Sequence, residues 1–365
     1  MNLDFTERES AFRAECREWL RANVPAEPLP SHNTAEGFQA HRKWEHQLFD
    51  AGWAIVSWPK AYGGREASLV EWLIFEEEYY AAGAPARVTQ NGVFLLAPTL
   101  FEFGTEAQKD AILRPMARAE VMWAQAWSEP EAGSDLANVR SRAEKVDGGW
   151  KVFGQKTWCS RGAFSDKVYG LFRTDPESER HRGLTYMMVD LRQGGVTVRP
   201  VDQLDGDTSF AELFFDGAFV PDDMVIGDVN GGWKVAMATT SSERGLSLRS
   251  PGRFLAAADR LVELYRDNSV PGLRDAVVQV WLDAQAYRDH TYRTVARMMD
   301  GGSIGADSSL NKLFWSEMDI QLHETALSLL AHDAERMDGE AGRWVKDALF
   351  SLAGPIYAGT NEIQR

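Results

Sequence analysis

The sequence predicts an α+β protein built from three successive regions, helical, then β, then helical again. Apolar residues recur at helical spacing early in the chain, as at Phe5, Phe12, Cys16 and Trp19. Between Val139 and Val220 the pattern changes to short runs of β-formers separated by turn signals. After Gly231-Gly232 the helical texture returns. The chain has 365 residues, 44% hydrophobic and 11% aromatic, which suits two or three packed units and excludes wholesale disorder.

Each element has its own signal. Thr6 and Glu9 stand at the spacing of a capping box, in which hydroxyl and carboxylate satisfy each other's end amides. Pro25 to Pro30 ends that first helix, and further helices are expected over about 35–51 and 69–82. Between them lies the turn-dense stretch Ser57-Trp58-Pro59-Lys60-Ala61-Tyr62-Gly63-Gly64. Asp147-Gly148 divides the strand-like runs 140–146 and 150–154 as a hairpin turn would. Other strand-like runs are 167–172, 185–191, 196–200 and 211–215. No helical pattern separates them, so an antiparallel sheet or barrel is expected rather than a parallel nucleotide-binding sheet. Helices are then expected over 241–265, 276–299, 309–336 and 344–352, divided at Pro271-Gly272 and Gly301-Gly302. The domain divisions are 1–120, 121–228 and 229–365.

Composition excludes several classes of function. Acidic residues outnumber basic ones, 54 to 39, for a formal charge of −15, which argues against nucleic acid and against an anionic membrane surface. No apolar run approaches the roughly 18 residues of a membrane span. The first residues lack a basic start followed by an apolar stretch, so a cytoplasmic protein is expected. Two cysteines, Cys16 and Cys159, make neither a zinc knuckle nor a disulfide framework. His41 and His46 lie five apart, off the spacing that puts two metal ligands on one helix face. No Gly-x-Gly-x-x-Gly fingerprint, phosphate-binding P-loop or Gly-x-Ser-x-Gly elbow occurs.

Two stretches carry chemistry. Gln125-Ala126-Trp127-Ser128-Glu129-Pro130-Glu131-Ala132-Gly133-Ser134-Asp135 reads as a polar loop whose hydroxyls and amides suit a flat polar heterocycle. Gly154-Gln155-Lys156-Thr157-Trp158-Cys159-Ser160 sets a tryptophan beside a serine at a strand end, suited to stacking and hydrogen bonding. On composition alone, a plain turn and a core tryptophan account for them equally well.

Together they resemble the flavin-binding signatures of the acyl-CoA dehydrogenase family. Trp58-Pro59 with Gly63-Gly64 resembles the family's N-terminal loop, and Ile356-Tyr357-Ala358-Gly359-Thr360-Asn361-Glu362-Ile363-Gln364-Arg365 its C-terminal signature. The resemblance implies a helical N-terminal domain, a middle antiparallel β-domain and a C-terminal four-helix bundle, with FAD as cofactor. It places Gln125, Trp127, Ser128, Trp158 and Ser160 along the flavin ring and Ser134 at the CoA pyrophosphate. It places Thr360 and Glu362 at the cofactor's ribose or pyrophosphate, and Ala358 and Gly359 at the substrate. It further implies an acyl-CoA substrate, an electron-transfer flavoprotein as electron acceptor, and a homo-oligomer or a hetero-oligomer with a related subunit.

The implied reaction removes an α-proton beside the thioester carbonyl and passes the β-hydrogen to flavin N5 as hydride, which requires one carboxylate as base. Many family members carry that glutamate where this chain has Ala358. Another branch, which includes the isovaleryl-CoA dehydrogenases, supplies it from an earlier helix in a Glu-Arg pair. Glu243-Arg244 matches that pair, so Glu243 is expected to be the base and Arg244 a CoA contact. An exposed charged pair on a helix is the plainer alternative.

Two family segments have no match. The Arg-x-x-Phe-Gly segment that reaches a neighbour's FAD is absent from the stretch 264–271, and the Gln-x-x-Gly-Gly-x-Gly loop is absent from 329–337. Either residues such as Arg266 or Arg274 substitute, or a different, related subunit completes the site, as in α2β2 dehydrogenases acting on steroid side chains. Ser308 to Glu317 also resembles a bacterial branch that includes such subunits, and as plainly reads as an amphipathic helix.

Overall fold

In the computed structural model the described residues are 4–243, 250–302 and 304–365, with the side chains of Ser242 and Glu243 outside the description. Eleven α-helices and eight strands are formed by these residues. The chain divides into two compact units that cut across the linear order, one of Met1–Glu27, Glu66–Pro85 and Arg244–Arg365, the other of Pro28–Arg65 and Ala86–Glu243.

The first unit is helical. Helix α1 (Glu7–Asn23) starts at the capping box of Thr6 and Glu9. Of the residues that mark its period, Phe12 and Cys16 are buried, while Phe5 precedes the helix and is exposed. Helix α3 (Leu69–Ala81) opens on a second capping box, Ser68 with Glu71. Bidentate pairs from Arg8 to Glu71 and from Arg17 to Glu78 tie α1 to α3. Helix α7 (Pro251–Asp267) has Ser250 as N-cap and Pro251 at the first position, where a missing N–H costs nothing. A Cβ on Gly252 would lie 2.6 Å from the Glu76 carbonyl, so only glycine allows α7 to approach α3 so closely. Helices α8 (Arg274–Met299), α9 (Asp307–Leu330) and α10 (Gly339–Ser351) pack with α7 around Phe254, Leu261, Val280, Ala284, Trp315 and Leu322. The short α11 (Asn361–Gln364) ends the chain.

The run expected as one helix over 241–265 is two, since α7 begins at Pro251. The run expected over 309–336 stops at Leu330, because Ala331 takes a positive φ and a 3₁₀ turn follows.

The second unit holds helices α2 (Ala35–Asp50), α4 (Ala97–Phe103), α5 (Glu106–Ala117) and α6 (Gly232–Glu243) together with the whole sheet. The strands are β1 (Trp123–Ala126), β2 (Arg142–Val146), β3 (Gly149–Cys159), β4 (Lys167–Arg173), β5 (Leu184–Asp190), β6 (Val196–Pro200), β7 (Ala211–Pro221) and β8 (Val225–Ile226). Their order is β6-β7-β3-β2-β4-β5-β8, with β1 beside β4. The hairpin at Asp147-Gly148 is present, pairing Val146 with Gly149. The sheet is antiparallel except where β1 runs parallel to β4 and β2 meets β4 at a single residue pair. Strand β3 continues past Gly154, which pairs with Phe215 at φ +132° and whose Cβ would lie 2.4 Å from Ser141 Oγ. The register shifts fall to either side, at Val152/Phe153 and Lys156/Cys159. The inner face is lined by Trp150, Val152, Val168, Phe172, Met187, Val189 and Leu213.

Candidate active site

The site residues of the second unit sit where two strand ends meet. Gln125 is half-buried in β1 opposite Tyr169 of β4, and Trp127 and Ser128 follow directly. The stretch expected to be a loop from Gln125 onward therefore begins as strand, and its loop starts only at Trp127. Trp127 is buried edge-on to Tyr169 and Tyr186 at 5.8 and 5.5 Å, its Nε1 without a partner among the described residues. The Ser128 carbonyl accepts from the Thr157 amide at 2.9 Å, which brings the two sequence stretches together. Beyond that bond, Trp158 is 63% exposed with φ +57°, edge-on to Phe210. Asn91 Nδ2 donates to the Ser160 carbonyl at 3.0 Å. Ser134 is exposed, next to Asp135, which pairs with Arg180 at 3.1 Å.

Sequence reasoning missed what holds this junction. Lys156 is fully buried in β3; its ammonium donates to Glu129 Oε1 at 2.8 Å and to the Leu171 carbonyl at 2.9 Å. Glu129 also accepts from the amides of Arg140 at 2.6 Å and Ser141 at 2.9 Å. Burial pushes the Glu129 carboxyl up, but the Lys156 charge and these hydrogen bonds outweigh it and leave the group below the usual carboxylate range. The available signal was a charged residue within a strand, beside a Glu-Pro turn. Cys159, one position past Trp158, is a free buried thiol pushed up to about 12 by desolvation, which leaves it unreactive.

Of the remaining predicted residues, Ala358, Gly359, Thr360 and Glu362 belong to the first unit and Glu243 to the second. Ala358 and Gly359 are consecutive left-handed residues, with φ +56° and +80°. Thr360 is the N-cap of α11 and accepts from the Ile363 amide at 3.3 Å. Glu362 is exposed in the first turn, its carboxyl held below the ordinary range by its own backbone amide and the Thr360 hydroxyl. Glu243 is the last residue of α6, and Arg244 lies outside the described residues. Thr239 of α6 is buried, within 2.7 Å of the Thr99 hydroxyl and 3.4 Å of the Tyr186 hydroxyl, and so fixes that helix to α4 and β5. Arg266 and Arg274 are both exposed.

The residues present fit a flavin. A large aromatic face held open to solvent in a rare left-handed conformation, beside half-buried Gln125, Ser128 and Ser160, offers a stacking surface with polar groups around it.

Comparison with known proteins agrees. Profiles of the acyl-CoA dehydrogenase N-terminal, middle and C-terminal domains match residues 6–120, 124–218 and 230–365. The chain is 37% identical to the acyl-CoA dehydrogenase IpdE1 of Mycolicibacterium smegmatis, covering 97% of this chain and 94% of that one. It is also 37% identical to FadE34 of Mycobacterium tuberculosis, over 87% of this chain and 44% of that one. Among solved structures, the Tcur3481-Tcur3483 steroid acyl-CoA dehydrogenase superposes with a TM-score of 0.88 at 26% identity, covering 100% of this chain and 97% of that one. The ChsE4-ChsE5 complex from Mycobacterium tuberculosis gives 0.83 at 26% identity, with the same coverage. Fold and matches define a flavoprotein oxidoreductase. The chain belongs to the acyl-CoA dehydrogenase family and uses FAD. Among the described residues no helix is long and apolar enough to cross a membrane.

Proposed function

We propose that this chain oxidises the CoA thioester of a bulky, steroid-derived acyl group to the 2,3-enoyl-CoA, with Glu243 as the base that removes the α-proton. The observation that carries the reading is Ala358, a methyl in a left-handed turn at the position where much of the family has its carboxylate. A proton acceptor must then come from elsewhere, and Glu243 at the end of α6 is the residue that matches the other branch. An apolar acyl group beside it would raise its pKa toward working pH. Bound FAD supplies the acceptor for the β-hydride. Gln125, Trp127, Ser128, Trp158 and Ser160 line the ring, Thr360 and Glu362 hold the ribose or pyrophosphate, and Ser134, Arg244, Ala358 and Gly359 meet the CoA thioester. An electron-transfer flavoprotein then takes the electrons.

The steroid assignment draws on the steroid acyl-CoA dehydrogenase among its structural relatives. A related second subunit completes the FAD site, a reading supported by the missing neighbour-reaching segments and by two structural relatives named for two proteins each, Tcur3481-Tcur3483 and ChsE4-ChsE5. Glu243→Gln, with FAD content unchanged, is expected to lower turnover of the assembled enzyme by about 100- to 10,000-fold. Undiminished turnover would remove Glu243 from the mechanism. One FAD per chain when the protein is purified alone would remove the second subunit.

A further inference from the structure

Lys312 is fully buried on α9, and the reaction above gives it no task. Its Nζ donates to Asn361 Oδ1 at 2.8 Å, and Ser316 Oγ donates to the same oxygen at 3.2 Å. Ser309 donates its hydroxyl to Gln364 Oε1 at 2.6 Å. Gln364 Nε2 in turn reaches back to the carbonyls of Ala358 and Gly359 at 3.2 and 3.4 Å. Ser309, Lys312 and Ser316 are three and four apart, so they form one stripe on the helix. These bonds all fall on the segment 358–364. The adjacent Trp315 stacks on Tyr357 at 5.9 Å, at the segment's entrance.

An ammonium withdrawn from water carries a desolvation cost, and an apolar side chain of similar size often does as well or better for stability. Stability alone is therefore a poor reason for a lysine at 312. What an apolar residue cannot do is donate to Asn361, the residue between Thr360 and Glu362.

We propose that Lys312, together with Ser309 and Ser316, is a positioning residue of the dehydrogenase. The stripe fixes the left-handed turn at Ala358-Gly359 and the start of α11, so that Thr360 and Glu362 face the cofactor and Ala358-Gly359 the thioester. The inference rests on the assignment of those four residues given under the proposed function.

The test uses the FAD-loaded enzyme with whatever related subunit it assembles with, as wild type, Lys312→Met, Asn361→Leu and Asn361→Asp. Three quantities are read: amide hydrogen exchange along the chain, the rate of FAD loss, and KM and kcat separately. Lys312→Met and Asn361→Leu are expected to speed exchange about tenfold or more within 356–365 only. FAD loss should quicken to a similar degree, with KM for the thioester rising more than kcat falls. Asn361→Asp keeps an acceptor for Lys312 but loses the Nδ2 donation to Glu317 Oε1 at 3.4 Å, so it should fall between wild type and Asn361→Leu. If Lys312→Met does not fold, the Ser309→Ala/Ser316→Ala double variant reads the same quantities. Unchanged exchange, or exchange raised evenly through the helical unit, overturns the inference. Raised exchange at 356–365 with unaltered FAD loss and KM also overturns it, and with it the assignment of Thr360 and Glu362, while the Glu243→Gln result stands independently.

Discussion

The two segments proposed to hold the cofactor are fixed by opposite means. Trp158 is the penultimate residue of β3, an 11-residue strand paired with β7 from Gly149 to Lys156 and again at Cys159. Underneath it a buried Lys156–Glu129 pair joins β3 to the loop after β1. The segment 358–364 has no ladder and takes its shape from side chains of α9 and from its own turn. Both use a buried lysine, yet Lys156 donates to a carboxylate whereas on this segment Lys312 donates to a neutral amide. A charge pair inside a sheet acts on the folding of the whole unit, because breaking it strands a charge in the core. A lysine-to-amide contact at the chain's end acts on local order, because the segment opens without unfolding the bundle.

The largest expected effect follows directly. Lys156→Met leaves the Glu129 carboxylate buried without its cation and should lower the unfolding free energy of the sheet unit by about 3–5 kcal/mol. Denaturant titration followed by tryptophan fluorescence measures it. A loss as small as that of an exposed pair would mean that the amides of Arg140 and Ser141 already satisfy Glu129.

The same carboxylate sets a pH dependence. Glu129 titrates below its unfolded value, so its contribution is present above about pH 4.3 and is lost as pH falls through the lower folded-state value. Removing Lys156 withdraws the largest charge that opposes burial, so the acid-unfolding midpoint of Lys156→Met should move to higher pH than wild type. Glu129→Gln should flatten this limb instead. Exposed Glu362 is held down chiefly by its own amide and the Thr360 hydroxyl, in water-screened surroundings, and Glu362→Gln should leave the acid midpoint within error.

How far these regions could be read from sequence differs in the same way. The cap Thr6 with Glu9 and the Asp147-Gly148 turn act within a few residues of themselves, so helix α1 and the hairpin were legible, whereas α5, which Thr105 caps in the same local way, was not read. Strand β1 was not, since its partner β4 lies some 40 residues on, beyond the whole β2–β3 hairpin. Gly154 marks an end in a local pattern but is a paired residue within β3. The stretches proposed to face the flavin were legible only by resemblance, and the packing of the Trp127 indole edge-on to Tyr169 and Tyr186 had no signal in the local pattern. Lys312 was silent because an isolated lysine on a helix looks solvated until burial is known, and Lys156 showed only as a charge within a strand-like run.

The smallest effect tests the segment that lacks a ladder. Ala358 is held at φ +56°, a conformation costing a non-glycine residue about 1–2 kcal/mol. Ala358→Gly relieves that strain but enlarges the freedom of the unfolded chain, which offsets about 0.4–1 kcal/mol. The expected net is a gain of up to about 1 kcal/mol in unfolding free energy, measured by denaturant titration. Local exchange across 356–365 should rise nonetheless, since glycine widens the conformations open to a segment that no strand confines. If Ala358→Gly is instead destabilising by more than about 1 kcal/mol, the methyl of this half-buried residue packs in earnest, and the segment is held by apolar contact as well as by the α9 stripe.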